Sequence, residues 1–228
     1  MSTQKDVFWD IIKIFDQYKL LDNFIIIGSW AEYIYELSHY KNKGFISNLK
    51  TMDMDILIKN IRRASTKISL PSLLSDHGYI YDEDPLTGVS KFYKSAVIEL
   101  EFIVREMGKG KTEPYKVDSL DIKAEGLRHL DILCDNSIKV EINNHKLWVP
   151  TPQAYIIHKL IINKNRGVKK EKDIRAINNI LEYICIEESE IAQLKNIYNS
   201  LLKSDKKKVD IVCKENLIKL YPDFNFDM

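Results

Sequence analysis

The chain has 228 residues, 45% of them hydrophobic and 29% charged, with a formal net charge of +1. That length carries one large domain or two small ones, each able to bury a core. The near-neutral balance excludes a global electrostatic pull toward nucleic acid or membrane, so any nucleic-acid role needs a local patch.

The N-terminal MSTQKDVFWD carries charge and aromatics where a signal peptide would be apolar, and no run reaches the about 18 apolar residues of a membrane span. Three widely spaced cysteines, Cys134, Cys185 and Cys213, form no CxxC pair and read as buried reduced thiols. The expectation is a soluble, cytoplasmic protein with no membrane partner.

In chain order, Val7, Phe8, Ile11, Ile12, Ile14, Phe15 and Tyr18 share one helical face, predicting an amphipathic helix over 4–20. The run Phe24 to Ile27 reads as a strand. It enters a helix through Gly28-Ser29, with Trp30, Tyr33, Ile34 and Leu37 at helical spacing. HYKNKGFISNLK reads as a loop and TMDMDILI (51–58) as a central strand. A helix is expected at about 71–77, between Pro71 and Gly78. Residues 79–104 look like a hairpin or meander ending in AVIELEFIV, and EMGKGKTEP like a surface loop. Residues 127–149 read as shorter strands. Beyond Pro150 and Pro152 the pattern is helical: AYIIHKLIINK, KEKDIRAINNILEYI, SEIAQLKNIYNSLL and KENLIKLY. The SDKKK run (204–208) reads as a solvated turn between helices. The boundary falls near 145–153, giving an α/β domain over 1–148 and a helical domain over 149–228.

Residues two apart on a strand share a face, so Asp53 and Asp55 project together, away from Met52, Met54 and Ile56. Two like charges this close repel unless a cation neutralises them, and magnesium is the natural hard-ion candidate. The alternative is an exposed acidic edge strand. Glu99 and Glu101 repeat the pattern opposite Ile98, Leu100, Phe102 and Val104. Embedded in so apolar a strand they need a partner, either a shared metal or a salt bridge to a lysine. Gly28-Ser29 at a helix N-terminus offers free N–H groups, a hydroxyl and the positive end of the helix dipole, which suit a phosphate.

The ordered set IIIGSW, TMDMDILI and LEFIV resembles the hydrophobic-Gly-Ser, Asp-x-Asp and single-acid strand motifs of the nucleotidyltransferase superfamily with the DNA polymerase β-like fold. HYKNKGFISNLK accounts for a longer Gly28–Asp53 separation than in minimal members. TPQAYIIHKLIINKNRGVKKEKDIRAINNIL is similar to the Pro…Lys-Leu…Arg…Lys-Asp pattern of bacterial members, including the abortive-infection and toxin-type branch. The resemblance spans roughly residues 20–185. It implies a mixed α/β (α+β) sheet flanked by helices and followed by a helical region. It also implies transfer of an NMP group from an NTP such as ATP, with pyrophosphate released, to an acceptor such as tRNA, a protein hydroxyl or a small molecule. By analogy, an antitoxin partner is expected.

Residue by residue, the resemblance assigns Gly28 and Ser29 to the triphosphate, and Asp53, Asp55 and Glu101 to Mg2+ or Mn2+. Glu99 is the alternative third carboxylate. Glu101 would also take the acceptor's proton. Lys159 would reach the phosphates, against a reading in which it snorkels at the helix edge. Arg166, Lys172 and Asp173 follow the family pattern, against a reading as a structural ion network. His158 and Tyr33 read as packing, and His39, His77, His129 and His145 show no suggestive partners. A binding or interaction module without turnover is the alternative function.

Overall fold

The N-terminal amphipathic repeat forms α1 (Gln4–Gln17), started by a capping box in which Thr3 and Asp6 satisfy each other's backbone N–H. Its apolar face, including Phe8, Ile11 and Phe15, is fully buried. The computed structural model describes residues 3–49, 51–61, 67–94, 97–106, 108, 110 and 113–225. Strand β1 (Phe24–Ile26) follows and turns through Gly28 into α2 (Ser29–Leu37). Next come β2 (Asp53–Ile58) and α3 (Leu70–Asp76), the latter capped by Ser69 with Pro71 in its first turn.

The meander resolves into β3 (Ile80–Glu83), β4 (Ser90–Lys94) and the long β5 (Ile98–Arg105). A further pair, β6 (Tyr115–Val117) and β7 (Ile122–Leu127), was not predicted. The stretch expected as strands over 127–149 begins instead with the short helix α4 (Asp131–Asp135). The hairpin of β8 (Ser137–Ile142) and β9 (His145–Pro150) comes after it. Of the EMGKGKTEP loop, Met107, Lys109, Lys111 and Thr112 lie outside the described residues, as does Lys50 of HYKNKGFISNLK.

The main sheet runs β1-β2-β5-β4-β3, with β7 also on β5 and β6 on β7. β2 and β5 are parallel; β1–β2, β3–β4 and β4–β5 are antiparallel, so this is a mixed sheet. One edge of β5 carries β2. The other is shared by β4, which pairs residues 98–101, and β7, which pairs residues 103–105. Met54, Ile56, Leu100 and Phe102 point into the core, and the intervening acids point to the opposite face. Helices lie against the sheet, giving a mixed α/β fold.

After Thr151 caps it, α5 (Pro152–Ile162) runs through the middle of the helical half, with residues 152–161 all buried. Packed on it are α6 (Lys170–Ile184), α7 (Glu188–Ser200) and α8 (Lys203–Glu215). Tyr35 Oη donates to the Pro150 carbonyl at 2.8 Å, tying α2 to the end of β9. Tyr40 and Phe45, inside the predicted loop, are buried against the Tyr183 ring, so that insertion also packs on the helical half. Buried residues of both halves join one contiguous apolar cluster. Among the described residues no helix is long and apolar enough to cross a membrane.

Three expectations are corrected here. SDKKK is not a turn: residues 204–208 lie in α8, while residues 216–221 of KENLIKLY follow that helix. Val209, Val212 and Cys213 give α8 its buried face, and its lysines line the outer one. Asp205 in the first turn is buried, bonded by Lys208 and 3.4 Å from His129. Second, three histidines read as partnerless face carboxylates: His39–Glu190 (2.9 Å), His129–Asp205 and His145–Asp16 (2.7 Å). Third, of the free cysteines only Cys213 is buried; Cys134 is partly exposed and Cys185 exposed.

Candidate active site

The β1–α2 corner is built around Gly28. Its φ of 66° and ψ of −151° lie where only glycine is comfortable. A Cβ there would also collide with Asp55 Oδ2. Gly28 thus lets the Asp55 carboxylate reach the backbone at the start of α2, where Ser29 and the first free N–H groups lie. Trp30 holds the corner in place. Its indole stacks on Phe8 (4.6 Å between centroids) and Nε1 donates to the Asp53 carbonyl at 3.1 Å. Tyr33 is buried edge-on to the same rings, so it serves packing, as read from sequence.

Parallel pairing sets Asp53 opposite Glu99 and Asp55 opposite Glu101. All four carboxylates share one face of β2 and β5, and the Gly28 contact places Asp55 at the β1–α2 corner. Burial pushes the Asp55 carboxyl above the usual carboxylate range. The neighbouring Asp53 charge adds to this, while Lys159, Lys169 and Arg166 oppose it. Asp53 is more open, with Lys169 Nζ 3.6 Å away.

Facing the carboxylates is a cationic wall from α5, α6 and the turns between them. Together the walls enclose a cleft of about 360 Å³ reaching Gly28, Ser29, Asp53, Asp55, Lys159 and Arg166. Thr51, Met52, Lys169, Lys172 and Asp173 complete it. Lys159 is buried and donates to Asp173 Oδ1 at 2.8 Å, while Arg166 Nε donates to Asp173 Oδ2 at 3.0 Å. One buried carboxylate therefore orients two cations at the cleft. Arg166 and Asp173 thus form an ion network with Lys159, and all three line the cleft. Lys159 does not snorkel. Lys172 is half-buried, and burial pulls its ammonium below the usual lysine range, with Glu32 acting the other way.

Behind this wall Tyr155 Oη donates to Glu32 Oε1 at 2.6 Å. Burial raises the Glu32 carboxyl above its usual range. Glu32 escaped the sequence reading although an acid among Trp30, Tyr33 and Ile34 was a visible signal. Lys169 and Thr51 were also missed, with nothing in their spacing to mark them; Met52, expected on the face of Met54 and Ile56, precedes β2, is half-exposed and lines the cleft.

Lys91 was missed as well. It lies directly across β4–β5 from Glu101, and its Nζ is 2.6 Å from Glu99 Oε1 and 2.8 Å from Glu101 Oε1. The salt-bridge alternative for this pair is thus present. Burial raises the Glu101 carboxyl, and Lys91 opposes that. Among the described residues no group of three or more His, Cys, Asp or Glu side chains stands close enough to hold a metal ion. In the structure the Glu101 carboxylate meets Lys91.

The donor chemistry still suits a divalent ion at Asp53 and Asp55. Both offer hard oxygens, and no hydrogen bond or ion pair to a described residue holds the Asp55 carboxylate, whose charged form burial disfavours. Magnesium commonly takes one or two carboxylates and completes its shell with substrate phosphates and water.

Comparison with curated proteins gives no match. Among solved structures the chain is similar to an antigenic nucleotidyltransferase-like protein from Paracoccidioides brasiliensis. That likeness has 13% identity and a TM-score of 0.46, over 94% of this chain and 91% of that one. Residues 7–203, most of the chain and all of the cleft, match the family described as nucleotidyltransferase. The chain belongs to the nucleotidyltransferase family.

Proposed function

We propose that the protein is a metal-dependent nucleotidyltransferase moving an NMP group from an NTP to a hydroxyl acceptor, with release of pyrophosphate. The observation carrying this reading is the opposition of Asp53 and Asp55 to the Lys159, Arg166, Lys169 and Lys172 wall across a cleft floored by Gly28 and Ser29. A triphosphate with a divalent cation needs both signs of charge side by side, and family membership points to the same chemistry.

The α2 N-terminus and the Ser29 hydroxyl donate to phosphate oxygens. Lys159 and Arg166, fixed by Asp173, neutralise charge on the leaving side, and Lys169 and Lys172 extend that wall toward solvent. Asp53 and Asp55 hold Mg2+ or Mn2+, which when bound withdraws charge from the phosphates. Glu101, directly across from Asp55 on the same face of the sheet, is the proton acceptor for the incoming hydroxyl. By resemblance alone the proposal extends to a tRNA, protein or small-molecule acceptor, a toxin-type setting with an antitoxin partner, and a cytoplasmic location.

A second reading, nucleotide binding without turnover, draws on the Lys91 pairing of both glutamates. Incubating the protein with Mg2+ and each α-labelled NTP, alone and with total RNA or lysate, separates the two. Label transfer that disappears in Asp53→Ala/Asp55→Ala supports the enzyme. Nucleotide binding without transfer supports the module, and neither from folded protein refutes both.

A further inference from the structure

The acid-bearing face of the sheet reads in rows. Across one row lie Asp55, Glu101 and Lys91; across the next lie Asp53, Glu99 and Tyr93. With strands about 4.8 Å apart, Asp55 and Lys91 are anchored about 10 Å from each other, and Glu101 stands between them. It can serve one side or the other. In the structure its carboxylate meets Lys91 at 2.8 Å, and Glu99 meets the same ammonium at 2.6 Å.

The Lys91 side chain is only 21% exposed, and those of Glu99 and Glu101 are 18% and 26% exposed, so solvent screens this fork weakly. Glu125 on β7, paired with Ile103, adds a fifth carboxyl near this face. An ammonium shared by two carboxylates beside further acids is strongly retained.

We propose that Lys91 is a fixed cation standing in place of a second metal ion. It neutralises Glu99 and Glu101, so that the chain holds a single divalent ion, on Asp53 and Asp55, and Glu101 acts on the acceptor hydroxyl from its place beside Lys91 rather than as a metal ligand. This inference rests on the metal-dependent reading above. Removing the ammonium would leave two like-charged glutamates on one face, open to a second hard cation.

Electron paramagnetic resonance with Mn2+ tests it. Metal-free protein carrying one equivalent of α,β-methylene-ATP is titrated with Mn2+, the bound ions are counted, and the signal is examined for spin coupling. One uncoupled ion per chain is expected, and Lys91→Met should gain a second ion with a coupled signal. Lys91→Arg, which keeps the charge, should stay at one. Two coupled ions in the wild type, or a Lys91→Met protein that stays at one, overturn the proposal while leaving the metal-dependent reading intact. If Lys91→Met does not fold, the wild-type count and Lys91→Arg decide the matter. No bound Mn2+, or a count unchanged in Asp53→Asn/Asp55→Asn, refutes the metal-dependent reading and this inference with it.

Discussion

The two walls of the cleft are made in different ways. On the sheet wall, the positions of Asp53, Asp55, Glu99 and Glu101 follow from strand alternation and the β2–β5 register, so backbone hydrogen bonds hold the charges in their rows. On the helical wall the cations come from α5, two short turns and α6, and among the described residues the ion pairs of Lys159 and Arg166 both go to one side chain, Asp173. The sheet wall therefore survives loss of any one acid as a scaffold, whereas the helical wall has one point of failure. The sheet wall also concentrates like charge, which makes it the side that needs cations. The helical wall balances its cations internally and exposes the surplus to the cleft.

The largest effect should follow from breaking that single point. Asp173→Ala would leave Lys159 buried without its carboxylate and release Arg166. A loss of about 3–5 kcal/mol is expected, as for other broken buried pairs, read as a lower urea midpoint. An equivalent change on the opposite wall, Asp53→Asn, should leave the midpoint nearly unmoved because register holds β2.

Acid should also strike the helical wall first. Burial in α5, reinforced by the Lys159, His129 and Arg166 charges, lowers the His158 imidazole to about 3. Its folded value lies below its unfolded one, so the unfolded chain binds the proton more readily. The His158 contribution is present above about pH 6.5 and is lost as pH falls toward 3, at about 1.4 kcal/mol per pH unit and about 2 kcal/mol by pH 5. His158→Leu should flatten the dependence of the urea midpoint between pH 6.5 and 5. An unchanged slope would mean that His158 is not the titrating group.

The same contrast explains what the sequence made legible. The period-two pattern in TMDMDILI and VIELEFIV is a backbone property, so the shared faces of the acid pairs could be read directly. The Gly28-Ser29 corner was legible because few residues tolerate its geometry. Lys91 was not: which lysine meets Glu99 and Glu101 depends on the β4–β5 register, a long-range choice that no local pattern encodes. Lys159 stood out as a cation in an apolar helix, but its partner lies one turn-and-helix away at Asp173. Helix α8 was misplaced because its lysines outweighed the Val209, Val212 and Cys213 spacing. Charge announces a surface, and surfaces occur on helices as readily as on turns.

The corner joining the walls offers a smaller perturbation. Gly28→Ala would force alanine to a φ of 66° and drive its Cβ against Asp55. Strain of about 1–3 kcal/mol is expected, together with loss of nucleotide binding measured by calorimetry. On the proposed function the functional loss should exceed the stability loss, since Asp55 must move from the start of α2.

The smallest stability effect belongs to Lys169, whose side chain is 55% exposed and 3.6 Å from Asp53. An ion pair this open contributes under about 1 kcal/mol. Lys169→Ala should therefore leave the urea midpoint almost unchanged. In the cleft, however, Lys169 is one of the outer lining cations, so on the proposed function the same substitution should weaken NTP binding several-fold, and more at low salt than at high. A midpoint shift without an affinity change would reverse that assignment. It would mean that Lys169 steadies the helical wall, and that the cations binding the nucleotide are only those Asp173 holds.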